Sequence, residues 1–275
     1  MASCGVVHLS ADRRINTEAL IEEELRMVDA GSISVVLDVL GPEREVLLAT
    51  LESFETEDWP RSTECPAYTV KGIAIHLLGD DLSLLSRQRD GAENGLLQLA
   101  AKMPGADFRT LLDTFNDRWV AAARFFSTDL VIELLRLSGE WTARYYAEVD
   151  PAAPGEPVGF FGATGSSSPF WHAIAREYME RWVHHSQIRR AVGRGSLADL
   201  RFLRVGMEVA AAAGGVEPGI PTEEQGSWTI GPVALGNAQQ AADILTRAHT
   251  AEDVRKLATG PTNAVELLAA FAGRS

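Results

Sequence analysis

The segment Ala175–Arg190 contains neither proline nor glycine and reads as one uninterrupted helix, with Glu180 and His184 four residues apart. At about 3.6 residues per turn these two side chains share a helix face, close enough for a carboxylate and an imidazole to grip one ion. Two ligands leave a divalent cation under-coordinated. A chain that uses them this way must bring a third ligand from another helix, which requires helices packed side by side. His76, in Ile73-Ala74-Ile75-His76-Leu77-Leu78, is the candidate. It stands two turns inside a helix that opens near Thr69, a suitable N-cap, and that also offers Val70, Ile73, Leu77 and Leu84 to a core. Spacing alone also fits a plainer and commoner arrangement, a surface Glu–His pair and a packed core histidine.

The surrounding pattern supplies the helices. Ile33, Val36, Leu37 and Leu40 precede Gly41-Pro42, and a second stripe runs through Val46, Leu47, Thr50, Leu51 and Phe54, so Pro42 either starts a fresh helix or kinks a continuous one. Phe108–Phe126 shows Leu111, Leu112, Phe115, Trp119, Ala122 and Phe126 on one side, and Leu130–Val149 repeats the pattern. Together with the Glu180 helix these predict an up-and-down bundle. The aromatics Trp119, Phe125, Phe126, Trp141, Tyr145 and Tyr146 are expected in its core. Before it, Leu20, Ile21, Leu25 and Val28 in Thr17–Asp29 form an amphipathic helix in an N-terminal extension, residues 1–31. Pro151–Pro169 reads as a loop whose Phe160 and Phe161 could wall a pocket. No lysine follows its glycines, so it is no phosphate cradle.

Near the candidate ligands, Asp80 and Asp81 fall on the next turn after His76, and either could orient a ligand histidine; Asp81 reads rather as solvent-exposed. His185 and Glu177 are the nearest candidates for proton transfer. His185 is rotated about 100° from His184 on an ideal helix and so faces a neighbouring helix or solvent. His8, His172 and His249 receive no role. Arg189, Arg190 and Arg194 read as a solvated, basic helix end.

A chain of 275 residues with 46% hydrophobic content can bury a large core. Its net charge of −13 argues against nucleic acid and anionic membranes, leaving small molecules as the expected partners. Cys4 and Cys65 have no CxxC spacing and imply no disulfide framework, which fits a cytoplasmic setting. Cys65 reads as a packing residue. No apolar run is long enough for a signal peptide or a membrane span.

Two segments carry a resemblance. Asp58-Trp59-Pro60-Arg61-Ser62-Thr63-Glu64-Cys65-Pro66-Ala67-Tyr68-Thr69-Val70, followed by Ile75-His76-Leu77, is similar to the Trp, Cys-Pro, Thr-Val and His-Leu string of the mycothiol-dependent maleylpyruvate isomerase family, a branch of the DinB-like metalloproteins. Glu180-Arg181-Trp182-Val183-His184 resembles that family's Glu-x-x-x-His metal motif. The resemblance implies His76, Glu180 and His184 as metal ligands that are catalytic through the metal. It implies a DinB-like four-helix bundle over 32–195 and a small C-terminal α/β, sterol-carrier-like domain over 196–275. In that domain Trp228–Leu235 reads as a strand, Ala238–His249 as a helix, Val254–Thr259 as a strand and Asn263–Phe271 as a final helix. It also implies mycothiol as co-substrate. Zinc suits two imidazoles and a carboxylate, although other divalent metals accept the same donors. Binding a thiol to such a cation favours the thiolate. Addition to a conjugated double bond and expulsion would give isomerisation, and displacement of a leaving group would give S-transfer. A thiol-independent metal hydrolase or lyase, and a non-catalytic small-molecule binding protein, are the alternatives. One departure stands out: the family often carries Asp three residues beyond the second histidine, where this chain has Gln187.

Overall fold

The structure, a computed structural model, describes residues 30–155, 169–214, 218–219 and 226–273. The expected extension helix at Thr17–Asp29 and the loop aromatics Phe160 and Phe161 lie outside these residues. The described chain is mainly helical. α1 (Ala30–Glu52), α2 (Val70–Leu84), α3 (Gly95–Lys102), α4 (Phe108–Ala123), α5 (Thr128–Glu148) and α6 (Phe170–Ala191) are followed by α7 (Leu200–Gly214), a small sheet and three short helices.

Four helices, α1, α2, α5 and α6, pack around a common interior, each against two neighbours. The Phe108 helix, expected within the bundle, lies outside it as α4, against α2 and α3. Its amphipathic stripe would look the same in either place. α1 runs continuously through Pro42, losing only the backbone bond that the missing N–H would have made. Local chemistry fixes the helix starts. Thr69, Asp107 and Ser127 each accept a hydrogen bond from the backbone N–H three residues on, capping α2, α4 and α5. α2 ends in one π-helical turn, Leu85–Arg89.

Gly79 lets α4 approach α2 closely. A Cβ there would lie 2.2 Å from Trp119 Cδ1 and Nε1, and that indole donates to the Ile75 carbonyl at 2.8 Å. Gly79→Ala is therefore expected to push Trp119 off α2 and to lower stability by about 1–3 kcal/mol, read as an earlier urea midpoint. Of the other aromatics, Tyr146 is buried, but Phe125 is 80% and Trp141 37% exposed. Both were expected in the core. Trp141 lies off the buried stripe of α5, which runs through Val131, Leu135, Ser138, Thr142 and Tyr146, and Phe125 falls in the turn between α4 and α5.

One hydrophobic cluster fills the bundle around Leu47, Leu51, Ile73, Leu77, Leu135 and Ile188. A second joins Val36, Tyr146, Tyr178 and Trp182 directly to Phe202, Leu235, Ile244 and Leu268 of the C-terminal part. The Tyr178 hydroxyl donates to the Phe202 carbonyl at 2.6 Å and the Trp182 indole to the Leu197 carbonyl at 3.0 Å. These bonds lock one face of α6 against α7 and the strand of chain before it. The opposite face, with Glu180 and His184, is thereby turned toward α2.

The C-terminal sheet is antiparallel in the order β1 (Pro218–Gly219), β2 (Trp228–Ile230), β3 (Val233–Gly236). The expected single strand Trp228–Leu235 is a hairpin. Gly231, at φ 50°, supplies the left-handed turn residue that lets the chain reverse, with Ile230 paired to Val233. α8 (Ala238–Leu245) is shorter than expected, and α10 (Thr262–Ala272) matches the final helix. The expected strand at Val254–Thr259 is instead α9 (Ala251–Leu257), nucleated by a capping box between Thr250 and Asp253. Only Thr259 behaves as a strand residue, exchanging both backbone hydrogen bonds with Ala234.

Candidate metal centre

His76 projects from α2 and Glu180 and His184 from α6, and one ligand atom from each lies within 4.8 Å of the others. His184 Nε2 stands 3.4 Å from Glu180 Oε2. Donors at zinc bond lengths in a tetrahedral shell are about 3.4 Å apart, so this pair already has the edge length of such a shell. The His76 and His184 rings meet edge to face, centroids 4.8 Å apart and planes at 86°. Two imidazoles and one carboxylate suit a borderline cation such as zinc and leave further positions open. Donor type and spacing both fit a divalent metal.

His184 Nδ1 lies 2.8 Å from Gln187 Oε1. An amide oxygen can only accept, so Nδ1 carries the proton and Nε2 keeps its lone pair toward Glu180. Gln187, where the resembled family often has Asp, thus still fixes the tautomer while adding no charge. Gln187→Leu is expected to weaken zinc binding by about 10–100-fold, measured by competition with a chromophoric chelator, while the fold is retained. Tyr68 stacks on His76 at 5.7 Å and donates its hydroxyl to Asp117 Oδ1 at 3.0 Å, holding the ring from the outside.

Electrostatics follow from the crowding. Burial pushes the pKa of Glu180 up, but without a cation a protonated His184, hydrogen-bonded to the carboxylate through Nε2, more than offsets this and holds the carboxyl at about 2; a bound metal would take the place of that Nε2 proton. The more distant guanidinium of Arg247 acts in the same direction. Burial lowers the pKa of His76, keeping the imidazole neutral as a ligand must be. Asp80, 3.3 Å from His76 Nε2 and partly buried, is driven well up by burial and by Glu177 and Glu180. Burial also raises the Cys65 thiol, consistent with a packing residue rather than a nucleophile.

The remaining expected residues take other places. His185 is fully buried and faces α1. Its Nδ1 lies 2.9 Å from Glu43 Oε1 and its Nε2 lies 3.1 Å from Thr50 Oγ1. Thr50 spends its own hydroxyl proton on the Val46 carbonyl, so Nε2 must donate to it, and Nδ1 is left to face Glu43. Glu177 is buried beside Arg176, whose Nη2 donates to it at 2.8 Å. Asp81, expected at the surface, is 1% exposed and sits at the centre of the bundle. It accepts from Arg44 Nη2 at 3.0 and 2.8 Å, from Arg181 Nη2 at 2.6 Å and from the Ser138 hydroxyl at 2.6 Å. An Asp-Asp pair in sequence gives no sign of which member turns inward; the two buried arginines that decide it are distant in the chain.

Arg190 is no solvated helix end. It binds the Glu64 carboxylate through Nε and Nη2, the Ser196 and Thr246 hydroxyls through Nη1, and the Thr246 carbonyl through Nη2. It ties α6, the loop before α2 and the C-terminal part together. Arg247, the next residue, has φ 60° and is the one non-glycine with positive φ among the described residues. A cavity of about 720 Å³ opens beside Leu51, Phe54, Trp59 and Ile132, and none of the three converging residues lines it.

No helix of the described residues is long and apolar enough to cross a membrane. Neither a curated protein nor a solved structure matches the chain. Residues 40–189, over half of its length, match the family described as "Mycothiol maleylpyruvate isomerase N-terminal domain", and all three converging side chains fall within that span. The chain belongs to the mycothiol maleylpyruvate isomerase N-terminal domain family.

Proposed function

We propose that this protein is a metal-dependent enzyme that activates a low-molecular-weight thiol, mycothiol by its family, for addition to or substitution on a small electrophile, as an isomerase or S-transferase. The observation that carries the reading is the convergence of His76, Glu180 and His184 within 4.8 Å inside the segment that matches the family. A divalent cation held there, zinc by its donors, supplies the Lewis acidity that favours a thiolate at neutral pH. His76, Glu180 and His184 hold it, and Gln187 keeps the His184 proton on Nδ1. Tyr68 and α4 shield the His76 side of the site. We place the metal bundle at residues 32–195 and the α/β part at 196–275, with the whole protein working in the cytoplasm.

Metal content by mass spectrometry on protein purified without added metal, followed by calorimetric titration of mycothiol into the loaded form, tests this. Near-stoichiometric metal and thiol binding that requires it are expected. A metal-loaded protein indifferent to thiol would move the function to hydrolysis or elimination without thiol, and a protein that takes up no metal would remove the centre itself.

A further inference from the structure

The cavity beside Leu51, Phe54, Trp59 and Ile132 lies where α1 ends, where α5 begins and beside the loop that leads into α2. α1 and α2 each pack on both α5 and α6. The groove between α1 and α5 is therefore diagonally across the bundle from the groove between α2 and α6, where His76, Glu180 and His184 converge. At about 720 Å³ the cavity has the size of an ordinary small-molecule site.

Its inner wall is apolar and aromatic. Leu51 is 1% exposed, and Phe54 meets Trp59 edge to face at 5.8 Å. The backbone N–H of Lys71 donates to the Trp59 carbonyl at 3.1 Å, which pins the loop against the start of α2. Trp59 is 7% exposed, yet its indole N–H forms no hydrogen bond among the described residues. A buried indole donor on the wall of a cavity is satisfied by whatever fills the cavity, water or the π face of a ligand.

The rim is charged unevenly. Glu52, Asp129 and Glu133 stand against Lys71 and Arg136, three carboxylates to two cations, which leaves one net negative charge. Both cations are already engaged. Arg136 Nη2 pairs with Glu52 between α5 and α1, and Lys71 Nζ donates to the Arg124 carbonyl at 3.0 Å. The carboxylates of Asp129 and Glu133 form no ion pair or hydrogen bond among the described residues. Four residues apart on α5, they share one helix face, about 6 Å apart along its axis. The N-terminal dipole of α5 offsets part of the charge of Asp129, so Glu133, one turn further in, is the stronger anchor for a cation.

We propose that this cavity is a second small-molecule site, separate from the metal centre, and that it takes a primary amine carried on an aromatic body. The ammonium is held by Glu133 and Asp129, and the ring lies against Leu51, Trp59 and Ile132.

Calorimetric titration of the full chain with 2-phenylethylamine and with 2-phenylethanol, its uncharged isostere, tests this. The wild type is expected to prefer the amine by about tenfold, the worth of a charge-assisted hydrogen bond. Glu133→Gln should remove most of that preference, Asp129→Asn less of it, and the double variant should bring it near one. Both residues are exposed, so the fold is retained. Ile132→Arg, which fills the cavity with a cation, should abolish binding of both ligands. Affinity for the amine should be the same in zinc-loaded and chelator-treated protein. Equal affinity for the two ligands, a preference that survives the double variant, or no heat from either ligand at millimolar concentration overturns the proposal. Amine binding that requires zinc also overturns it, since the ligand would then sit at the metal centre.

Discussion

His76→Ala is expected to abolish metal retention in a protein that remains folded. The imidazole is the one ligand contributed by α2, so its loss leaves a carboxylate and an imidazole on a single turn of α6. Such a pair holds a cation weakly, because both donors sit on one side of it and water must complete the shell. Zinc affinity should fall by at least about a thousandfold, on the order of 4 kcal/mol of coordination energy. Thiol binding should disappear with it. Stability should change far less, since the His76 ring contributes its stacking on Tyr68, its contact with His184 and its approach to the partly buried Asp80. Glu180→Gln provides the companion measurement: the amide keeps the shape of the side chain but offers no charge. If either variant retained near-stoichiometric metal, the cation would have to be held elsewhere.

Asp81→Ala is expected to be the most destabilising single change in the bundle. The substitution leaves the guanidiniums of Arg44 and Arg181, both about 5% exposed, facing each other without an anion. Removing one partner from a buried ionic network costs about 3–5 kcal/mol, and here two cations are stranded at once. Urea denaturation should show the full loss, and Asp81→Asn should fall between the two, keeping acceptor geometry without charge. The same carboxyl predicts acid sensitivity. Burial alone would raise its pKa, but Arg44, Arg181 and Ser138 together hold it below the usual aspartate value. A folded-state pKa below the unfolded one, about 3.9, means the stabilisation is complete above that pH. It is then lost as pH falls through the lower folded value. The wild type should therefore lose stability below about pH 4 more steeply than Asp81→Asn does.

The sequence made the helices legible because each long one carries an apolar stripe at helical period and most open on a capping residue such as Thr69 or Ser127. That Glu180 and His184 share a helix face followed from their spacing, whereas His76, on another helix, was tied to them by the resemblance of its segment to the family's His-Leu string. What escaped were features set by distant partners. Asp81 is buried because Arg44 and Arg181 arrive from other helices, and nothing in Gly79-Asp80-Asp81 announces them. Trp141 is aromatic yet exposed because the stripe of α5 passes it by, and Phe125 because it falls in the turn between α4 and α5. The Val254 segment has β-branched and apolar residues, but the Thr250–Asp253 capping box outweighs them over so few residues. Gly231-Pro232 was read within a strand, although a left-handed glycine at that point makes a turn.

The bonds made by Arg190 have a consequence for inheritance. One guanidinium holds Glu64 in the loop before α2, Ser196 where the chain leaves the bundle and Thr246 behind α8, and Ser196 in turn donates to Asp243. No member can change alone without stranding the others. The chain after residue 196 therefore cannot drift or be exchanged between relatives independently of the loop before α2 and the C-terminal end of α6. A lineage that alters its substrate through the C-terminal part must also rewrite positions 64 and 190, and those positions should vary together with 196 and 246.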